Sequence, residues 1–444
     1  MPVVSDLRVL LRLRDFRRLL SVRLLSQGAD GVYQVALAAY VVFSPEKQTS
    51  ATAIASAMAV LLLPYSLIGP FAGVLLDRWR RRQVFVHGNV LRALLAAATA
   101  VLMAAHAPDW LFYVSALCVT AVNRFVLAGL SAALPRVVDA DLLVLANSLS
   151  PTAGTLAATA GGGLAFGVRL LTPGSDATVV LLGAVLYLCA GLTSLSLALA
   201  RLGPDRKATR PRLRTALAET ARELLAAGRH LAAPRRRGAT LALGAMTAMR
   251  FCYGALLVLL LMLCRYGLSS TPEDGLRLLG LALAVSGAGF FGAAVVTPWA
   301  VGRIGPGMWI AVCAGAATVL EPALGLPFAT GPLLAATFTL GLITQGAKIA
   351  TDTIVQASVE DSFRGRVFSV YDVLFNVAFV GAAAVAALIL PPDGHSASLV
   401  LLTALLYGIV TAIAARYERR QNSGKGAVSR ETSPASAREA ETQI

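Results

Sequence analysis

Residues 51–105 read ATAIASAMAVLLLPYSLIGPFAGVLLDRWRRRQVFVHGNVLRALLAAATAVLMAA. Two apolar runs, 51–76 and 83–105, flank the short link Asp77-Arg78-Trp79-Arg80-Arg81-Arg82. A helix needs about 20 apolar residues to cross a bilayer, and each run is long enough. Lys and Arg are retained in cytoplasmic loops, so a link this basic belongs on the inner face. The stretch therefore predicts a pair of transmembrane helices joined on the cytoplasmic side.

The same pattern continues in both directions. Apolar runs of spanning length occupy 19–43, 51–76, 83–105, 110–135, 142–170, 177–200, 238–264, 277–300, 307–326, 329–352, 366–390 and 396–416. Composition agrees, with 57% hydrophobic and only 14% charged residues in 444. A soluble domain carries about 25% charged residues, which it needs to cover its surface. The expected fold is an all-α membrane protein of twelve transmembrane helices. The run at 142–170 is the least apolar, since it holds Pro151 and Gly161-Gly162-Gly163. Such residues are tolerated where neighbouring helices satisfy the backbone. The basic start (Arg8, Arg12, Arg14, Arg17, Arg18) precedes an apolar run too long for a cleaved signal peptide. An uncleaved first span is expected.

A net charge of +15 and a pI near 10.2 raise nucleic-acid binding as a possibility. The distribution argues against it. About 30 of the 39 Lys and Arg residues fall in segments that an inside N-terminus makes cytoplasmic, against Lys47, Arg169, Arg265 and Arg277 outside. This imbalance of roughly seven to one predicts cytoplasmic N- and C-termini in a cell (inner) membrane. The five cysteines and four histidines have no metal-ligand or redox spacing, so neither disulfides nor a metal is expected. No cofactor is implied. Nucleotide-binding glycine loops and clustered catalytic acids are also missing, which points away from an enzyme.

The segment 201–237 carries eleven basic residues and three acids and is the long internal connection. It predicts a six-helix half over 1–200, a basic cytoplasmic linker over 201–237 and a second six-helix half over 238–417. Leucines at 213, 217, 224, 225 and 231 would give part of the linker an amphipathic face suited to the anionic inner leaflet. The polar residues 418–444 have the composition of a disordered tail. A weak repeat at an offset of 221 supports two pseudo-symmetric halves: Val138-Asp139 matches Val359-Glu360, and Ser148 matches Ser369.

The link first quoted extends to Gly73-Val74-Leu75-Leu76-Asp77-Arg78-Trp79-Arg80-Arg81-Arg82. It resembles the signature loop of the major facilitator superfamily, G-x-L-x-D-R-x-G-R-R. Gly73, Leu75, Asp77, Arg78, Arg81 and Arg82 match in register, and Arg80 replaces the second glycine. The resemblance implies alternating access between two halves. It also implies a cytoplasmic gate in which Asp77 engages the start of the eleventh span, here marked by Arg364-Gly365-Arg366. In the second half the matching segment, Gly292 to Gly305, lacks the acid. Leu134-Pro135-Arg136, Ala146-Asn147-Ser148 and Gln356 with Arg364-Gly365-Arg366-Val367 resemble the drug–proton antiporters, including the macrolide-efflux and enterobactin-exporter groups. The span-five antiporter signature is met only in part, by Gly154 and Gly161 to Gly163.

Ionisable residues inside spans are costly and mark a cavity or a partner. Asp30, Arg124, Arg250 and Lys348 fall in spans one, four, seven and ten, which the resemblance assigns to the central pathway. Arg23, Gln27 and Asp30 are spaced to share one helical face. Asp30 is the first candidate for a proton-carrying acid, because desolvation disfavours the charged form of a carboxyl. Arg124 is expected as its partner, either moving with transport or held in a static pair. Counted with Asp352, the set carries a charge of +1, which leans toward an anionic or zwitterionic substrate. Tyr33, Gln34, Asn123, Phe125, Phe251 and Tyr253 are candidate ligand contacts on the same spans. The expected function is a proton-coupled secondary transporter, monomeric in the lipid bilayer, exporting hydrophobic or amphipathic small molecules. Import of an anionic metabolite and a non-transporting sensor are the alternatives.

Overall fold

A computed structural model describes residues 8–43, 79–105, 107–172, 176–198, 213–231, 236–359 and 361–431, with single positions between them. The described residues form helices without strands. These are α1 (Arg14–Phe43), α2 (Arg81–Ala104), α3 (Asp109–Ala133), α4 (Ala140–Leu171), α5 (Asp176–Ser194) and α6 (Leu213–Leu231). They are followed by α7 (Arg237–Met262), α8 (Pro272–Ile304), α9 (Pro306–Gly325), α10 (Thr330–Ser358), α11 (Asp361–Ile389) and α12 (Ala397–Glu431). A 3-10 turn, Leu134–Arg136, follows α3, and a π turn, Leu263–Gly267, follows α7.

Among the described residues, nine helices are long and apolar enough to cross a membrane. The fold is thus all-α and multi-span. Helices α1 and α4 coincide with two further predicted spans, although polar residues in α1 and Gly, Ser and Thr in α4 make them less apolar. The run 51–76 lies outside the described residues except for isolated positions. Several helices outrun their apolar core. Helix α8 covers 33 residues and ends on Arg303, whose guanidinium lies 4.2 Å from the Trp299 ring centre. Such pairs suit the headgroup layer, where an aromatic ring and a snorkelling cation both reach polar surroundings.

Helix α12 continues to Glu431, so 418–431 are helical where composition predicts a disordered tail. The segment contains Ala, Glu, Gln, Arg and Lys, all good helix formers. It also extends a helix already nucleated in the span, which removes the unfavourable first turn. Helix α6 occupies nearly the whole amphipathic stretch of the linker.

The chain divides into two compact units. The first comprises Met1–Ala226, Ser269–Leu276 and Phe368–Leu388, and the second comprises Ala227–Leu268, Arg277–Val367 and Ile389–Ile444. In the first unit α1 packs on α4 and α5, and α2 packs on α3 and α5. The α1–α4 approach depends on glycine. A Cβ at Gly31 would overlap the Ala158 carbonyl, and one at Gly161 would overlap the Gly28 carbonyl. This explains part of the Gly161-Gly162-Gly163 run: small residues let membrane helices meet backbone to backbone. In the second unit α9 packs on α10 and α12, and α7 packs on the same two helices. The starts of α4 (Ala140) and α11 (Asp361) repeat the 221-residue offset found in the sequence.

Candidate functional site

The first unit buries an ion pair between Asp30 of α1 and Arg92 of α2. Arg92 is wholly buried and Asp30 is 6% exposed. The Arg92 Nη1 donates to Asp30 Oδ1 at 2.8 Å and to Asn123 Oδ1 at 2.9 Å. Its Nη2 donates to Ser26 Oγ at 2.6 Å and to Asn89 Oδ1. The Tyr187 hydroxyl of α5 donates to Asp30 Oδ1 at 2.7 Å, while the Tyr187 ring lies 4.4 Å from the guanidinium carbon. Four helices, α1, α2, α3 and α5, therefore contribute to one charge cluster. A buried pair is tolerated only when further hydrogen bonds complete its shell, as happens here. The planar fork of Arg92 suits this role, since it reaches several acceptors at once.

The expected partner of Asp30 was Arg124, and the structure corrects this. The Arg124 Nη2 lies 3.6 Å from Asp372 Oδ2 of α11, a pair with side chains 22% and 58% exposed. Arg92 takes its place because α2, not α3, presents a cation at the level of Asp30. The polar stripe of α1 also divides. Arg23 Nε donates to Gln27 Oε1 at 3.0 Å and Nη1 donates to Ser150 Oγ of α4 at 3.0 Å. Asp30, two turns on, faces α2 and α5 instead.

Among the other predicted residues, Arg250 stacks 5.0 Å from the Tyr253 ring centre, and Lys348 donates to Asp352 at 2.7 Å. Tyr33 is buried, with its hydroxyl 3.2 Å from Thr99 Oγ1. Asn123 belongs to the Arg92 cluster, Phe125 lies 6.4 Å from Trp79, Phe251 is half-buried and Gln34 is exposed. Of the gate motif, Gly73, Asp77 and Arg78 lie outside the described residues, as does the side chain of Arg364. Arg81 donates from Nη1 to the carbonyls of Ala132 (2.8 Å) and Leu202 (2.9 Å), tying the start of α2 to the end of α3 and to the chain that follows α5. Arg82 and Arg366 are half-buried.

Sequence reasoning passed over Arg92, Asn89, Ser26 and Tyr187. Arg92 was the one legible signal, a lone cation in the apolar run 83–105. Depth along the run does not single it out, because position in a span says nothing of which neighbour a side chain meets. Asn89, one turn before Arg92, then gives a second polar residue on the same face.

The profile of the Major Facilitator Superfamily matches residues 19–383. The uncharacterized MFS-type transporters Rv0037c of Mycobacterium tuberculosis and Mb0038c of Mycobacterium bovis are each 36% identical over 401 residues, 89% of either chain. Among solved structures, a variant of the nucleoside transporter NupG has a TM-score of 0.67 at 13% identity, covering 90% of this chain and 98% of that one. A variant of the peptide transporter POT has a TM-score of 0.66 at 15% identity, covering 90% and 94%. Those two likenesses concern the fold. Matched by the family profile over most of its length, and built of apolar spanning helices, the chain belongs to the Major Facilitator Superfamily and is a multi-pass membrane transporter of that type.

Proposed function

We propose that this protein is a proton-coupled secondary transporter that exports hydrophobic or amphipathic small molecules by alternating access. The observation that carries this reading is the buried Asp30–Arg92 pair with Tyr187. An unpaired charge at membrane depth is costly, so separating Asp30 from Arg92 and Tyr187 favours its neutral form. Protonation of Asp30 would remove one arm of the cluster and loosen α1 from α2 and α5. Arg92 would keep Ser26, Asn89, Asn123 and the Tyr187 face. Proton binding and helix rearrangement are thereby linked through a single side chain. Gln27, Arg124, Arg250 and Lys348 are proposed to line the transport path. Asp77, Arg78, Arg81, Arg82, Arg364 and Arg366 are proposed to form the cytoplasmic gate.

The same reading takes twelve spans in two halves joined by 201–237, with both termini cytoplasmic and the protein monomeric. The antiporter-like segments at 134–136, 146–148 and 364–367 support export of an apolar cargo. The test uses protein reconstituted in liposomes with an imposed pH gradient and a panel of lipophilic compounds. Wild type is expected to move at least one compound against its gradient. Asp30→Asn is expected to lose gradient-driven flux by about tenfold or more, the penalty of roughly 1.4 kcal/mol or above in coupling. Full-rate, gradient-driven flux in Asp30→Asn would remove Asp30 from the mechanism.

A further inference from the structure

The second unit holds a buried acid with no counter-ion among the described residues. Glu321 lies in α9, inside an apolar stretch, and is 3% exposed. Its Oε1 has no hydrogen-bond partner among the described residues. The Tyr407 hydroxyl of α12, within electrostatic reach of Glu321, is also buried with no hydrogen-bond partner among the described residues. Glu321 lines a cavity of about 40 Å³ with Tyr253, Ser286 and Thr337, and its remaining walls are mainly leucine. One water needs roughly 10–15 Å³ of such space, so the cavity admits water beside the carboxyl.

The groups that act on this site can be named helix by helix. Helix α7 presents Cys252 and Tyr253, α8 presents Ser286, α10 presents Thr337 and α12 presents Tyr407. Tyr253 is hydrogen-bonded to Ser286, and Thr337 donates to the Leu334 carbonyl at 2.9 Å. None of these groups is a cation. An ionised carboxylate buried in this way carries a desolvation penalty with no nearby cation among the described residues to offset it. The lining hydroxyls of Tyr253, Ser286 and Thr337 are already engaged, so a single carboxylate is a poor cage for calcium or magnesium, which take six or more oxygens.

We infer that Glu321 is a proton-binding site of this transporter, loaded while its cavity is dry and discharged when water fills it. The residue after it strengthens the assignment. Pro322 has no N–H, so the Thr318 carbonyl loses its helical donor one turn earlier. Helix α9 is thus weakened next to the acid, where a change in charge and hydration can bend it. The site does not include Asp30, whose Oδ1 accepts from Arg92 and Tyr187, and the inference stands whether or not Asp30 carries a proton.

Infrared difference spectra of the full-length protein in liposomes, titrated with pH, test this without a transport substrate. A carboxylic C=O stretching band is expected at low pH, lost on raising the pH and restored on reacidification. It should be absent in Glu321→Gln and retained in Asp30→Asn. Tyr407→Phe and Glu321→Asp should both move the midpoint of the transition, which covers the case in which Glu321→Gln does not fold. The inference is overturned if no band depends on Glu321, if a Glu321 band stays constant across the pH range, or if neither second variant moves the midpoint. A band that responds to sodium at constant pH would make the site a metal-cation site and equally end the proton assignment.

Discussion

Arg92 shows why the identity of a charge partner is decided in three dimensions. Every acceptor it uses, Asp30, Asn123, Ser26 and Asn89, is buried with it. Removing one member of a buried ion pair leaves the other uncompensated, at a cost of about 3–5 kcal/mol. Arg92→Leu is therefore expected to lower the thermal unfolding midpoint of the detergent-solubilised protein sharply. Adding Asp30→Asn should recover a substantial part of that loss, because the stranded charge is then gone. If the double variant is no more stable than Arg92→Leu alone, the pair is not what holds these helices. From the sequence, Asp30 was legible as a buried acid because it lies deep in an apolar run. Its partner was not, since spans one, three and four all carry an arginine and helical rotation about each axis decides which one faces it. Glu321 was overlooked for a related reason. A lone acid near the end of the run 307–326 looks like a boundary residue until α9 is seen to bury it.

At the scale of the elements, small residues set how closely helices approach. Gly31 and Gly161 meet the backbone of the facing helix in the α1–α4 pair, whereas Gly163 has open space beside it. Gly31→Val should destabilise the protein by about 1–3 kcal/mol through overpacking, while Gly163→Val should stay near wild type. Thermal melts of the two variants side by side check this, and equal stability would show that α1 and α4 do not depend on the close contact. The glycine run was visible in the sequence, but which of its three members faces α1 was not. Helix existence was far easier to read. Each predicted span from 83–105 onward coincides with a helix, and the ends differ mostly because hydropathy marks the lipid-facing length while hydrogen bonding continues into the interface. Helix α12 shows this most strongly, running into a polar segment that apolar periodicity cannot register.

For the whole molecule, the strongest remaining expectation concerns sidedness. The basic segment 201–237 is proposed to be cytoplasmic, so trypsin should cleave there in inside-out vesicles and leave it intact in right-side-out ones. Cleavage from the outer face would reverse the assigned orientation. Lys and Arg are expensive to translocate, which is why orientation can be argued from their distribution at all. The membrane class, the helical segments and the superfamily were all within reach of the sequence alone, because lipid demands long apolar runs with internally satisfied backbones and the signature loop survives as a contiguous string. Tertiary structure alone decided that Asp30 belongs to Arg92 and Tyr187, that Arg124 turns to Asp372, and that Glu321 is buried beside a small cavity. Those facts depend on the rotation and depth of each helix against its neighbours. Packing fixes both, and a one-dimensional pattern of apolar residues is nearly blind to them.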